Sequence, residues 1–202
     1  CVVLGSGIAR TGERVAALEE VIASSTTPMV LDAAALQENT LDLVRGKQAT
    51  AVKNVSLAEE HLHDHFPGAA LMPNSLVVEG MAQTAGLLVA DALEFNRRVV
   101  LAKVAKAEFE YDAVPGDSIL FRATILELKP TGSLASVESV IVDEKGKERP
   151  QGKAELFFAH LEPGEGVPKL FEPEELLKWL DHMHIYDIGR DEAGNPLSRP
   201  DW

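Results

Sequence analysis

The stretch from Leu76 to Leu93 constrains this chain more than any other. It is almost wholly apolar, yet Glu79, Gln83 and Asp91 interrupt it. A bilayer-spanning helix tolerates such groups poorly, so the run reads as a helix buried inside a protein. Pro73-Asn74 supplies the start, with Asn74 suited to the N-cap, and the helix is expected to reach about Phe95. Such a helix needs a sheet around it, and four strand patterns follow at once: Val99 to Tyr111, Ile119 to Leu128, Leu134 to Val142 and Gly152 to His160. They are separated by Val-Pro-Gly-Asp, Pro-Thr-Gly and Asp-Glu-Lys-Gly turn signals. The layout is α+β, an antiparallel sheet wrapped around a long central helix.

The flanks read more simply. Residues 1–36 form one βαβ-like unit: Val2-Val3-Leu4, a helical pattern from Glu13 to Ala23, then Met29-Val30-Leu31-Asp32. Residues 37–47 are polar and read as a connection, Ala49 to Leu57 as a strand, and Ala58 to His63 as a helical turn or two. Beyond a Gly/Pro-rich linker at 162–168, Pro173 to Tyr186 reads as one helix with Leu176, Leu177, Leu180 and Met183 as its docking stripe. The rest is a polar tail. The expected division is 1–40 as an N-terminal appendage, 41–162 as the main domain, and 163–202 as linker, C-terminal helix and tail. Cys1 in place of Met reads as a processed or truncated form.

Composition narrows the function. A net charge of −13 argues against nucleic acid, whose phosphates require clustered Lys and Arg. The single cysteine excludes an intrachain disulfide and fits a reducing, cytoplasmic setting. No membrane association is expected.

The chemistry concentrates between His61 and Gln83, HLHDHFPGAALMPNSLVVEGMAQ. Glu79 lies one turn inside the apolar helix, where it is expected to be buried among Leu76, Val77, Val78 and Met81. Burial disfavours its charged form and the helix dipole at that end favours it, the balance a proton donor needs. His65, on the loop before the helix, is the natural base. The unsatisfied amides at the helix start can stabilise the enolate-like charge that forms when a thioester loses its α-proton. Base, acid and oxyanion site together are the needs of a thioester dehydration.

HFPG followed by LMPNSLVVEGMAQ resembles the signature of the bacterial 3-hydroxyacyl-acyl-carrier-protein dehydratases of the hotdog fold, over roughly residues 45–161. The resemblance implies a hotdog fold and a catalytic pair at His65 and Glu79, fourteen positions apart. It places substrate-binding roles at Gly68 of the turn, at Asn74 and Ser75 of the helix start, and at Gln83, one turn after Glu79 and able to orient it. It also implies an acyl-carrier-protein partner, an acyl thioester substrate, no cofactor or metal, and a homodimer or trimer of dimers, with His and Glu of each site on different chains. Three residues depart from the usual pattern: Asn74 for Gly, Gly80 for Ala, and Ala70 for Pro. Arg97, Arg98, Lys103 and Lys106 could dock an acidic carrier or be a solvated strand edge. Two other readings stand beside dehydration. One is a hotdog thioesterase or hydratase acting on coenzyme A thioesters, and the other is a silent acyl-binding module.

Two further motifs carry less. His61, His63 and His65 alternate as metal ligands on a strand would, but their surroundings look helical, no second cluster has metal spacing, and His182 and His184 are unaccompanied. GSGIAR and VLDAAAL resemble fragments of a ribokinase-like NAD(P)H-hydrate dehydratase, with Ala34 where that family has Asp. A unit of this size scarcely buries a core, so it reads as a remnant.

Overall fold

The structure is a computed structural model and describes residues 2–4, 29–31, 39–142, 146–161 and 173–199. Strands β1 (Val2–Leu4) and β2 (Met29–Leu31) pair in parallel, Val2 opposite Met29, as a βαβ unit requires. The helix expected between them and the linker at 162–168 lie outside the described residues.

The main body is a six-stranded antiparallel sheet. Its strands are β3 (Asn39–Val44), β4 (Gln48–Asn54), β5 (Arg98–Phe109), β6 (Ser118–Lys129), β7 (Gly132–Val142) and β8 (Glu148–Leu161). Their order is β3-β4-β6-β7-β8-β5. The short helix α1 (His61–Asp64) and the long helix α2 (Asn74–Ala92) come between β4 and β5. This is the expected hotdog arrangement, with α2 packed against the sheet.

Periodicity explains the core. In β6, Ile119, Phe121 and Ala123 are buried on alternate positions, and Ala135 and Val137 of β7 and Ala154, Leu156 and Phe158 of β8 repeat the pattern. Helix α2 meets them with Val77, Met81, Ala85 and Leu88, a stripe at spacings of four and three with no exposed surface. Each of the larger side chains, such as Val77, Met81 or Phe121, contributes about 1.5–3 kcal/mol by leaving water. The helix ends at Ala92, three residues before the expected limit, because Glu94 and Phe95 turn to positive φ and the Phe95 amide bonds back to Ala90.

Close approach at one glycine holds β5 to β8. A Cβ built on Gly152 would lie 2.5 Å from the Phe109 ring and 2.7 Å from the Glu108 carbonyl oxygen. The backbone atom cannot swing aside as a side chain can. Gly152→Ala is therefore expected to lower stability by about 1–3 kcal/mol, read as a reduced denaturation midpoint. An unchanged midpoint would show that β5 has room to give.

Three readings of the flanks need correction. Residues 39–44 are a strand, not part of a connection; as an edge strand β3 needs few apolar groups and commits only Thr40 and Leu43 to the interior. The C-terminal helix is two helices, α3 (Pro173–His182) and α4 (Ile185–Ile188), broken at His184, whose φ of 56° no helix continues. The tail is docked: Arg190 exchanges backbone hydrogen bonds with β3, its amide to Leu43 O and its carbonyl from Arg45 N, both 2.9 Å, and Leu197 is buried. Of the predicted stripe, Leu176, Leu180 and Met183 are buried and Leu177 is half-buried.

The two sheet edges differ. The outer side of β3 carries the Arg190 segment. The outer side of β5, a strand of 12 residues, meets no strand among the described residues and leaves Val100, Leu101 and Val104 exposed.

Candidate active site

The loop that presents His65 is tied down from behind. After β4, the Ser56 amide donates to Glu59 Oε1 (2.8 Å), and Glu59, almost fully buried, pairs with Lys53 at 2.9 Å. Leu62 anchors α1 in the core, and the Met72 amide bonds Ala113 O at 2.8 Å. Between these anchors the Phe66 and Ala69 backbones bond each other, around Gly68 at φ 80°, a conformation glycine adopts without strain. The His65–Phe66 peptide is cis.

The His65 ring is half-buried and stacked on Phe66, with centroids 4.2 Å apart. Its Nδ1 lies 3.1 Å from the carbonyl oxygen of Leu71. A carbonyl oxygen only accepts, so Nδ1 carries the hydrogen. In the neutral ring Nε2 then holds the lone pair, the form a base needs.

Glu79 departs from its expected surroundings. It is exposed on the single chain, as are Leu76 and Gln83, because the buried stripe of α2 runs through Val77 and Met81 instead. Gln83 Nε2 donates to Glu79 Oε1 at 2.9 Å, the contact that one helical turn makes available. Asn74 is the first helical residue, and Pro73 occupies the N-cap without a side-chain bond. Pro fits there because its β-region φ/ψ leads into the helix and its own carbonyl accepts the first bonds, from Leu76 and Val77. The amides of Asn74 and Ser75 precede those bonds. Asn74 Oδ1 is buried and has no hydrogen-bond partner among the described residues.

Glu79 and Gln83 form the polar lip of a groove of about 300 Å³. Its floor is the face of α2 bearing Ala82, Gly86 and Ala90, and its walls include Phe95, Phe158 and Trp179. His65 does not line it. The sequence reading missed the groove, although small residues recurring every fourth position on the Glu79 face were its signal. A larger depression, about 570 Å³, is crossed by the ion pairs Arg122–Glu148 and Lys153–Glu138 and contains neither His65 nor Glu79.

The remaining candidates separate. His63 Nε2 lies 3.1 Å from Leu57 O and His61 Nε2 lies 3.8 Å from Glu59, so the alternating histidines face different partners. Among the described residues no group of His, Cys, Asp and Glu has metal-holding geometry, and no helix is long and apolar enough to cross a membrane. In the basic stretch, Lys106 is paired with Glu108 at 2.7 Å, and Arg97 lines the groove.

The profile of the FabA-like domain matches residues 31–146, more than half of the chain. The chain belongs to the FabA-like domain family. Curated relatives agree. A protein of Desulforamulus reducens named 3-hydroxyacyl-[acyl-carrier-protein] dehydratase FabZ is 32% identical over 125 residues, which cover 61% of this FabA-like chain and 84% of that protein. Its namesake in Granulibacter bethesdensis is 40% identical over 87 residues, but the match spans only 51% of that protein and 42% of this one. These identities mark a divergent member. Among solved structures, a thioesterase family protein of Silicibacter pomeroyi superposes with a TM-score of 0.54 at 14% identity, covering 75% of this chain and 100% of that one. An acyl-CoA hydrolase variant of Staphylococcus aureus, in complex with coenzyme A, superposes at 0.50 and 16% identity, covering 63% and 74%. Both share the fold of the FabA-like chain.

Proposed function

We propose that this chain removes water from a 3-hydroxyacyl thioester carried on acyl carrier protein, giving the trans-2-enoyl thioester. The observation that carries the reading is the Glu79–Gln83 pair at the lip of an apolar groove, in a FabA-like chain whose His65 is held with Nε2 available as base. The Nε2 lone pair takes a proton from C2. The C2–H electrons become the C2=C3 bond as the C3–O bond breaks, and protonated Glu79 delivers its proton to the departing hydroxyl, which leaves as water. Amides at the Asn74–Ser75 helix start would hold the charge on the thioester oxygen. Gly68 would let the His65 turn approach the substrate, and Gln83 would hold the Glu79 carboxyl in position. No cofactor enters this chemistry.

The active unit in this reading is a pair of chains, with His65 of one reaching the groove of the other. Glu79 is exposed on the single chain, His65 lies outside its groove, and the apolar outer edge of β5 offers a seam where two sheets can join. The basic residues at the start of β5 would face the acidic carrier, in the cytoplasm.

The test is to supply 3-hydroxyacyl chains on acyl carrier protein and on coenzyme A, and to follow enoyl product and free thiol separately. Enoyl product from the carrier-bound substrate supports the proposal. Free thiol without enoyl product would make the chain a thioesterase, and tight binding without either product would make it a silent acyl-binding module.

A further inference from the structure

The groove has a direction. Glu79 stands near the N-terminal end of α2 and Ala90 near the other, eleven residues on, or about 16 Å along the helix. Between them the floor carries Ala82 and Gly86, side chains too small to fill the space above them. A mostly apolar slot with Glu79 and Gln83 at one end, and Arg97 as its other charged group, suits an acyl chain whose reactive head rests at Glu79.

The C-terminal segment is fastened at the far end of that slot. Arg190 bonds the β3 backbone on both sides of Val44, and the adjoining Arg45 holds Asp91, the residue after Ala90. Leu180 and Ile185 are fully buried, which fixes α3 and α4 against the body. Trp179 lies off the buried stripe of α3, is 41% exposed, and lines the groove together with Leu176. Helix α3 also lies beyond residues 31–146, which match the FabA-like domain.

We propose that helix α3 sets the length of acyl chain this site accepts, with Trp179 as the wall against which the distal carbons stop. The identity of the occupant rests on the dehydration reading; the position of the wall rests on the groove itself. A chain shorter than the slot leaves apolar surface uncovered, and a longer one meets the indole. Each methylene gained or lost in such a slot changes kcat/KM by about 10-fold or more.

The experiment measures kcat/KM across a graded series of 3-hydroxyacyl lengths. Trp179→Ala is expected to move the optimum to longer chains, with a gain of about 10-fold or more just beyond the wild-type limit. Gly86→Leu is expected to move it the other way. The Cβ itself is accommodated, 3.5 Å from Phe158, but the rest of the side chain occupies the floor. An unchanged length profile in both variants, with turnover intact, would overturn the wall and leave the dehydration reading standing. If no form turns over any length, the dehydration reading fails, and binding decides the wall. The chain has two tryptophans, so Trp202→Phe leaves Trp179 as the sole indole emitter. Its emission should respond to S-alkyl pantetheines only above a threshold length. No response, or a response independent of length, would overturn the proposal.

Discussion

Mixing two inactive variants, His65→Ala and Glu79→Gln, is expected to restore dehydration. Each change alone removes one arm of the proton transfer and should cost about 10²–10⁴-fold in kcat. If each site takes His65 from one chain and Glu79 from the other, a mixed dimer holds one site with both groups intact and one with neither. Random exchange of the two variants then returns about a quarter of the wild-type activity per chain. The measurement is turnover against mixing ratio after exchange. Activity that never rises above the sum of the two variants would place both residues of a site on one chain. The exposed Glu79, outside whose groove His65 lies, is what makes the two-chain outcome the expected one.

Arg45→Met is expected to be the most damaging single change away from the site. Asp91 has no exposed surface, and Arg45 meets it through Nη2 at 3.0 Å and through Nε at 3.3 Å. Burial pushes the Asp91 carboxyl above the usual carboxylate range, against the opposing pull of the Arg45 hydrogen bond; the same bond raises the guanidinium. The folded chain therefore holds that proton more tightly than the unfolded chain does. The contribution of this group to stability is full in acid and is lost as pH rises from the ordinary carboxylate range through the raised value. Without Arg45, burial and the nearby Glu94 charge act unopposed, and the loss deepens with pH. Arg45→Met should cost about 3–5 kcal/mol at neutral pH, or about 2–4 °C of melting temperature per kcal/mol, and much less in acid. Asp91→Asn should cost only about 1 kcal/mol, because Arg45 retains Glu94 at 3.5 Å and some access to water. Thermal melts of both variants across pH check the pair. Equal losses, or a loss from Arg45→Met that ignores pH, would count against the buried carboxylate as the cause.

The strands from β5 to β8 were legible because turn residues separate them, and in β6 to β8 because buried positions alternate. The central helix was legible from its length and apolarity, and that same apolarity hid which side faced the sheet. Leu76, Val77 and Val78 all precede Glu79 within one helical turn, yet the stripe through Val77 and Met81 took the core and left Glu79 outside. Local pattern cannot choose between two apolar faces; packing against β6 did. Strand β3 escaped notice because an edge needs few apolar residues. The Glu79–Gln83 contact followed from helical spacing alone, whereas the groove required Trp179 and Phe158, which are distant in sequence and adjacent only once the chain is folded.

The unequal edges of the sheet bear on how many copies can join. A strand edge is a template, and a sheet with two open templates can add neighbours at both sides without limit. In this chain the Arg190 segment takes up part of the β3 template, while the 12 residues of β5 meet no strand on their outer side among the described residues. Joining edge to edge through β5 uses the open template of each copy at once. In the paired reading proposed above, growth would then terminate at two, with the Arg190 segment on β3 as the stop that separates a closed pair from a fibre.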